Sequence, residues 1–457
     1  MSTAQRAFRL LALAPGADLR AEAAAALWGV PPARAAALLR ELTGAGLVVG
    51  SQRYALARSA RAQAVGQVLE EPAAVRARAV LRLLTWYRDC ANAADRVLRP
   101  AERPNFESAP PRPGFADQAQ ALAWLDAEAA NLGAAVRAAA TDQPVLSWQI
   151  AAAMYGWLTR REQRVEWIAL YTVAAQAAAS AADPAGEALI TGRLGIAYGL
   201  LGRASEAIGA FHRAYEIRLA GGDLLGAATG LLNIGAMQVS TGAPQDAIAS
   251  LVRAKDLAAG LPDTAHFHAL VHSNLAEAHH IAGRYAPAMH HYETALRYGE
   301  SGCADRDVAQ VLLGLALLCS TLGREDRARP YAERGLALAT RAGDDLMRAE
   351  SREALGRIAA AVGQIRPART HLRAALRTYT AMGYHGAADV RDRLEALDAL
   401  DASDRPEAPG AVGPETLEAA GPEAPEAPAV AGVPGASSAA AGAPAIATPA
   451  AEPGRPA

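Results

Sequence analysis

Apolar and small positions along this chain fall on a template that restarts about every forty residues. An aliphatic residue followed by a small one appears at Leu194-Gly195, Ile234-Gly235, Leu275-Ala276, Leu315-Ala316 and Leu355-Gly356. Seven or eight residues later stands a glycine: Gly202, Gly242, Gly283, Gly323 and Gly363, at intervals of 40, 41, 40 and 40. Five residues further comes an alanine (207, 247, 288, 328, 368), and seven beyond that another small residue: Ala214, Ala254, Ala295, Gly335 and Ala375. Each unit therefore reads as a helix, a turn at the glycine and a second helix. In the first, the helices run from Leu189 to Leu201 and from Ala204 to Leu219. A period in this range predicts stacked supersecondary units with a long binding surface, not one globular core.

The same reading organises the rest of the chain. Over residues 1–61 the spacing predicts three helices and a hairpin. Phe8 and Leu11 mark the first helix. Asp18 caps a second, which Gly29 closes after Trp28. Pro31-Pro32 opens a third, with Leu38, Leu39 and Leu42 on one face. Leu47-Val48-Val49 and Tyr54-Ala55-Leu56 then read as short strands. This is the winged-helix order. Residues 62–99 read as a helical connector interrupted near Pro72, and 100–116 as a proline-rich linker. Residues 117–180 hold a helix capped by Asp117 and a degenerate repeat, with Trp157 and Trp167 at positions the other repeats keep small. Five repeats occupy 181–400. From Asp401 to Ala457 the chain is built of Pro, Ala, Gly and Glu, and is expected to be disordered. The fold class expected is all-α: a helical solenoid preceded by a small winged helix.

The Leu-Gly-x2-Tyr, Gly, Ala-x3-Phe-x2-Ala succession at Leu194 to Ala214 resembles the tetratricopeptide (TPR) pattern, and the spacing holds in five copies. The period exceeds the usual 34 residues. The extra residues fall between units, around Gly221-Gly222-Asp223 and Gly343-Asp344, so each helix should be about a turn longer. The resemblance implies that the first helix of each pair lines a groove for a protein or peptide. Its exposed positions would include Leu189, Arg193, Thr229, Asn233, Ser273, Asn274, Glu277, His280, Gln310, Glu350, Glu353 and Arg357. Asn233 and Asn274 stand where many peptide-binding repeats hold ligand backbone. The lysine clamp for a C-terminal carboxylate is missing.

Composition adds limits. The formal net charge is -2, which gives no reason to expect nucleic acid or an anionic membrane as partner of the whole molecule. Through Ala60 the balance is more basic: seven Arg against one Asp and two Glu. A recognition helix there would offer Arg34 and Arg40, with Arg53 on the hairpin, but among Ala and Leu. DNA readers carry more polar side chains, so direct DNA binding is the second reading. Lys255 is the sole lysine, so no Gly-Lys-Ser/Thr phosphate loop exists and no ATP site is expected. Cys90, Cys303 and Cys319 are sparse and lack a CxxC, which fits reduced thiols in the cytoplasm. No leader and no spanning helix are read. Seven histidines between His266 and His291 raise the question of metal, with His268 and His272 four apart on one face. Few carboxylates or thiols accompany them, and no metal or other cofactor is expected. No nucleophile set is evident, and a non-catalytic protein is expected.

Up to about residue 400 the chain resembles the C-terminal half of bacterial STAND/NB-ARC regulators, including SARP-type transcriptional regulators. Ala7 to Leu56 looks like their winged helix. Leu83-Leu84-Thr85-Trp86-Tyr87 through Arg99-Pro100 looks like the helix and linker that follow, and Trp124 to Glu128 with Asn131-Leu132 like the entry to the repeats. The resemblance implies a sensor in signalling or transcription. There are two departures. No ATPase core precedes the winged helix, and Ala57-Arg58 stands where the family has a nucleotide-sensing His-Asp pair. A freestanding remnant, a split partner of a separate STAND ATPase chain and a shortened reading frame remain open. The missing His-Asp pair weighs against the last.

Overall fold

The computed structural model describes residues 2–100, 106, 108, 114–161, 164–262, 264–384 and 386–403. Most of the proline linker and nearly all of the tail expected to be disordered fall outside them. The fold is all-α, a helical solenoid, as the forty-residue period predicts.

Contacts divide the chain into two compact units. One comprises Met1–Met237 with Ser250–Leu261; the other comprises Gln238–Ala249 and the described residues from Pro262 onward.

The first unit begins with α1 (Thr3–Leu11), α2 (Ala21–Trp28), α3 (Pro32–Gly44), β1 (Val48–Val49) and β2 (Ala55–Leu56). The strands pair antiparallel, Val48 opposite Leu56, and Leu19 bridges to Tyr54. Pro32 occupies the first position of α3 and Gly29 closes α2 at φ +69°. Asp18 does not cap α2: the residue before that helix is Arg20, and the Asp18 carboxylate is taken by Arg53. Then come α4 (Arg58–Val68), α5 (Ala73–Leu98), α6 (Gln118–Ala139), α7 (Pro144–Ala153), α8 (Tyr155–Leu158) and α9 (Arg164–Ser180). Asp117 caps α6, accepting from the Gln120 amide at 2.8 Å. Trp157 and Trp167 are both buried, the latter edge-on to Tyr155 and Tyr171.

Helix pairs follow: α10 (Pro184–Leu200) with α11 (Ala204–Ala220), then α12 (Leu224–Ser240) and α13 (Pro244–Leu257). The second unit holds α14 (Ala265–Ile281), α15 (Tyr285–Glu300), α16 (Asp305–Thr321), α17 (Glu325–Ala342), α18 (Asp345–Ala361), α19 (Ile365–Ala381) and α20 (Ala387–Ser403). Within it α14, α16 and α18 lie side by side, each backed by its own second helix. Helices α10, α11 and α12 each have 17 residues, so the longer period does lengthen the helices. Helix α20 carries regular structure three residues past Leu400.

The glycine step has a backbone cause. Gly202, Gly242, Gly283, Gly323 and Gly363 all sit at φ between +66° and +73°, the left-handed conformation that L side chains resist. A second series at the other end of each pair, including Gly222, Gly343 and Gly383, does the same. Inside the helices small residues admit large ones. A Cβ on Gly195 would lie 2.7 Å from the Phe211 ring, and one on Gly356 2.6 Å from Leu372. The fixed register of small and large residues is thus close packing between the two helices of a pair.

Candidate functional site

In the first unit, α6 presents Glu128 and Asn131 to the hairpin and to the loop before α2. Glu128 is fully buried. It accepts from Arg20 Nε at 2.9 Å, Arg53 Nη1 at 2.6 Å and Asn131 Nδ2 at 2.9 Å. Arg53 also binds Asp18 at 2.5 Å, and Asn131 donates to the Asp18 carbonyl. Arg53 holds Asp18 below the usual carboxylate range. Two residues read as the entry to the repeats therefore anchor the hairpin. Arg53, placed among the DNA candidates, is engaged by two carboxylates and is not offered outward. Arg34 and Arg40 do lie exposed on α3.

Several groove candidates of this unit are covered. Arg193 was expected at the surface but is 1% exposed. Its Nη1 donates to the Ala152 carbonyl at 2.8 Å and its guanidinium lies 4.2 Å from the Tyr155 ring centre. The ring is large enough to roof a position the periodicity reads as open. Leu189, Thr229 and Asn233 are also buried. Thr229 turns its hydroxyl to the Leu225 carbonyl of its own helix. A helix-face register counts turns of one helix. It does not record what the neighbouring first helix covers.

The second unit is more open on the side formed by α14, α16 and α18. Ser273 and Asn274 are buried, and the Asn274 amide donates to Leu270 O at 2.9 Å within α14. Glu277, His280, Gln310, Glu350 and Arg357 are half-buried, and Glu353 is 9% exposed. Burial alone pushes the Glu277 carboxyl up to about 7. Glu350 is likewise pushed up to about 7, by burial and then by the charges of Asp344 and Glu353. Its Oε1 accepts from Tyr384 at 3.5 Å, and Glu353 Oε2 accepts from Tyr379 at 3.0 Å. The two phenol rings stand 4.9 Å apart. Burial and then Arg393 lower the affinity of Arg357 for its proton. His280 Nε2 is 3.2 Å from Thr321 Oγ1. Ser273 and Gln310 line a small cavity with Leu270, Val311 and Asp307. The candidates brought together thus form two groups, one on α14 and α16 and one on α18. Sequence reasoning missed the tyrosines beside them: Tyr379 and Tyr384, which donate to Glu353 and Glu350, and Tyr292, which lies near Glu277. One signal was available. Gly314 stands where the preceding repeats carry Asn233 and Asn274.

The histidines pack into a ring stack along α14 and α15. His272 Nδ1 is 2.9 Å from His291 Nδ1, His279 stacks on His291 at 5.4 Å, and His268 and His272 both stack on Tyr298. Among the described residues no group of three or more His, Cys, Asp or Glu side chains is arranged to hold a metal ion.

A sequence profile of the tetratricopeptide repeat matches residues 307–381. The chain is 31% identical over 334 residues to the regulatory protein AfsR of Streptomyces griseus, a stretch covering 71% of this chain and 33% of that protein. It therefore spans about a third of the length of that curated relative. Among solved structures it is similar to a signal transduction ATPase with numerous domains (STAND) from Pyrococcus horikoshii that carries a tetratricopeptide repeat sensor. The TM-score is 0.57 at 13% identity, with 90% of this chain and 58% of that one covered. That likeness is one of fold.

Proposed function

We propose that this protein is a non-catalytic sensor of a bacterial regulatory system that binds a protein or peptide through the first helices of its repeats. The observation that carries the reading is the side formed by α14, α16 and α18. It keeps the carboxyls of Glu277 and Glu350 half-buried, where an ionised group is costly unless something opposite in charge arrives. The tetratricopeptide repeat match and the likeness to a regulatory protein support this reading. Residues 1–61 are read as a winged helix fixed to α6, and residues 181–400 as the sensor. Among the described residues no helix is long and apolar enough to cross a membrane. The cytoplasm is the proposed location, and a separate STAND ATPase or regulator chain the proposed partner.

The test is capture with the full chain and with a Glu277→Gln/Glu350→Gln variant, followed by hydrogen exchange on the captured complex. A partner retained by the wild type, lost by the variant and protecting α14, α16 and α18 is expected. A partner that protects only α1–α5 would overturn the reading.

The exposure of Arg34 and Arg40 favours a second reading, a DNA-binding regulator. Gel shifts at two salt concentrations separate the two. Sequence-selective binding lost in Arg34→Ala/Arg40→Ala would put DNA first.

A further inference from the structure

We infer that the α14–α16 face receives a cationic side chain, arginine or lysine, of a bound peptide, and that Glu277 is the anion that meets it. This rests on the reading of that face as the partner site and deepens it.

Glu277 projects from the C-terminal half of α14 and is half-buried. Among the described residues it makes no hydrogen bond and no ion pair; burial is the one influence acting on its carboxyl. Every other inner-face carboxylate of the unit has a local partner. Glu353 and Glu350 have phenols, and Asp307 has His266 at 3.5 Å. No Arg or Lys of its own helix or of α16 reaches it. Helix α14 contains neither Arg nor Lys. The single Arg of α16, Arg306, reaches the other way, to Asp344 at 2.8 Å.

The surroundings are shaped as well as charged. Tyr292 comes up from α15, 5% exposed, and passes beneath Gly314 of α16. A Cβ at 314 would lie 2.4 Å from Tyr292 Cε1 and 2.7 Å from its hydroxyl. Only a glycine there lets the phenol through, at the register position where Asn233 and Asn274 stand. The negative charge of Glu277 acts on that phenol, so the two groups are neighbours. One helical turn from Glu277, the cavity lined by Ser273, Gln310 and Asp307 offers groups that can bind a peptide backbone. A carboxylate in partly dry surroundings repels an anion and gains nothing from an apolar group. A guanidinium or ammonium compensates it directly.

The probe is a capped, dye-labelled nonapeptide of Gly and Ser carrying two Arg residues. Matched Lys and Glu peptides and full-length protein complete the fluorescence-polarisation experiment. The Arg and Lys peptides should bind and the Glu peptide should not; their ratio tells which cation the site prefers. Glu277→Gln should weaken binding about tenfold, while Glu333→Gln, an exposed acid on α17, should change nothing. Binding should strengthen roughly fivefold from pH 6 to pH 8, as the carboxyl near 7 ionises and its neutral form binds about tenfold more weakly. Equal binding by Glu277→Gln, or by the Glu peptide, overturns the inference. If a captured partner protects α14, α16 and α18 yet ignores Glu277→Gln, the partner-site reading stands and this inference alone falls. If no partner engages the face, both fall.

Discussion

Glu128 and Glu277 are both glutamates set in largely apolar helices, one in each unit, and the structure treats them oppositely. Glu128 is sealed from solvent and held by two arginines and an asparagine. Glu277 is half-covered and held by nothing among the described residues. A buried charge that finds its partners inside the chain organises structure, because removing it strands those partners. A buried charge without one costs stability. It marks a place where something else is expected to bind.

The largest effect expected from this contrast is at Glu128. Glu128→Ala takes from Arg20 its carboxylate partner and leaves Arg53 with Asp18 alone. Loss of one member of a buried pair costs about 3–5 kcal/mol. Because both arginines are about one-third exposed, at 37% and 30%, solvent screening reduces this to roughly 2–3 kcal/mol. Urea unfolding of the full chain measures it, with the near-ultraviolet signal of Trp28 and Trp124 as a probe of the first unit. An unchanged midpoint would mean that the hairpin is held by its apolar contacts, and the comparison would lose its first half.

The two units do not differ in how their helix pairs pack, and that is the part most legible in the sequence. A glycine every forty residues announces a left-handed turn, and a small residue facing a large one announces a close approach. Both follow from backbone and steric rules that act within one unit. What was not legible depends on more distant chain. Arg193, Leu189, Thr229 and Asn233 share a helix face with residues that stay half-open, and only a neighbouring side chain such as Tyr155 decides which are covered. Arg53 looked like a free cation because its two acids lie 35 and 75 residues away. Asp18 looked like a cap for the same reason. The tyrosines beside the inner carboxylates were invisible because Tyr292 and Tyr379 arrive from second helices and Tyr384 from the loop after α19.

Shared packing predicts a shared response. Gly195→Ala in the first unit places a methyl 2.7 Å from Phe211, and Gly356→Ala in the second places one 2.6 Å from Leu372. In each case a ring or branch must shift within a dense interface. Overpacking of this kind costs about 1–2 kcal/mol. Matched losses in thermal unfolding are expected. A large loss in one unit and none in the other would show that the repeats differ in packing as well as in polar chemistry.

The smallest effect is the most discriminating, because it has the opposite sign. The Glu277 carboxyl is raised to about 7 from its ordinary 4.5, so between those values the folded chain holds a proton that the unfolded chain has released. Stability contributed by the neutral form is present at low pH and lost as pH rises through 7. Glu277→Gln keeps the neutral shape at all pH. It should therefore raise stability at pH 8, by about 1 kcal/mol once partial exposure is allowed for, and should make no difference below pH 4.5. His279 and His280 pull the other way. Burial lowers both below their usual 6.5, with Arg284 adding to the effect at His279, so the unfolded chain takes up protons first and stability falls as pH drops below 6.5. In the wild type these slopes oppose one another. In Glu277→Gln one carboxyl slope is gone and Glu350, also raised to about 7, is left to oppose the histidines, so between pH 8 and pH 5 the variant should lose stability relative to the wild type. Melting temperatures at the two pH values decide it. A gain of equal size at both would mean that the glutamine packs better, and that ionised Glu277 carries no penalty for a cationic partner to relieve.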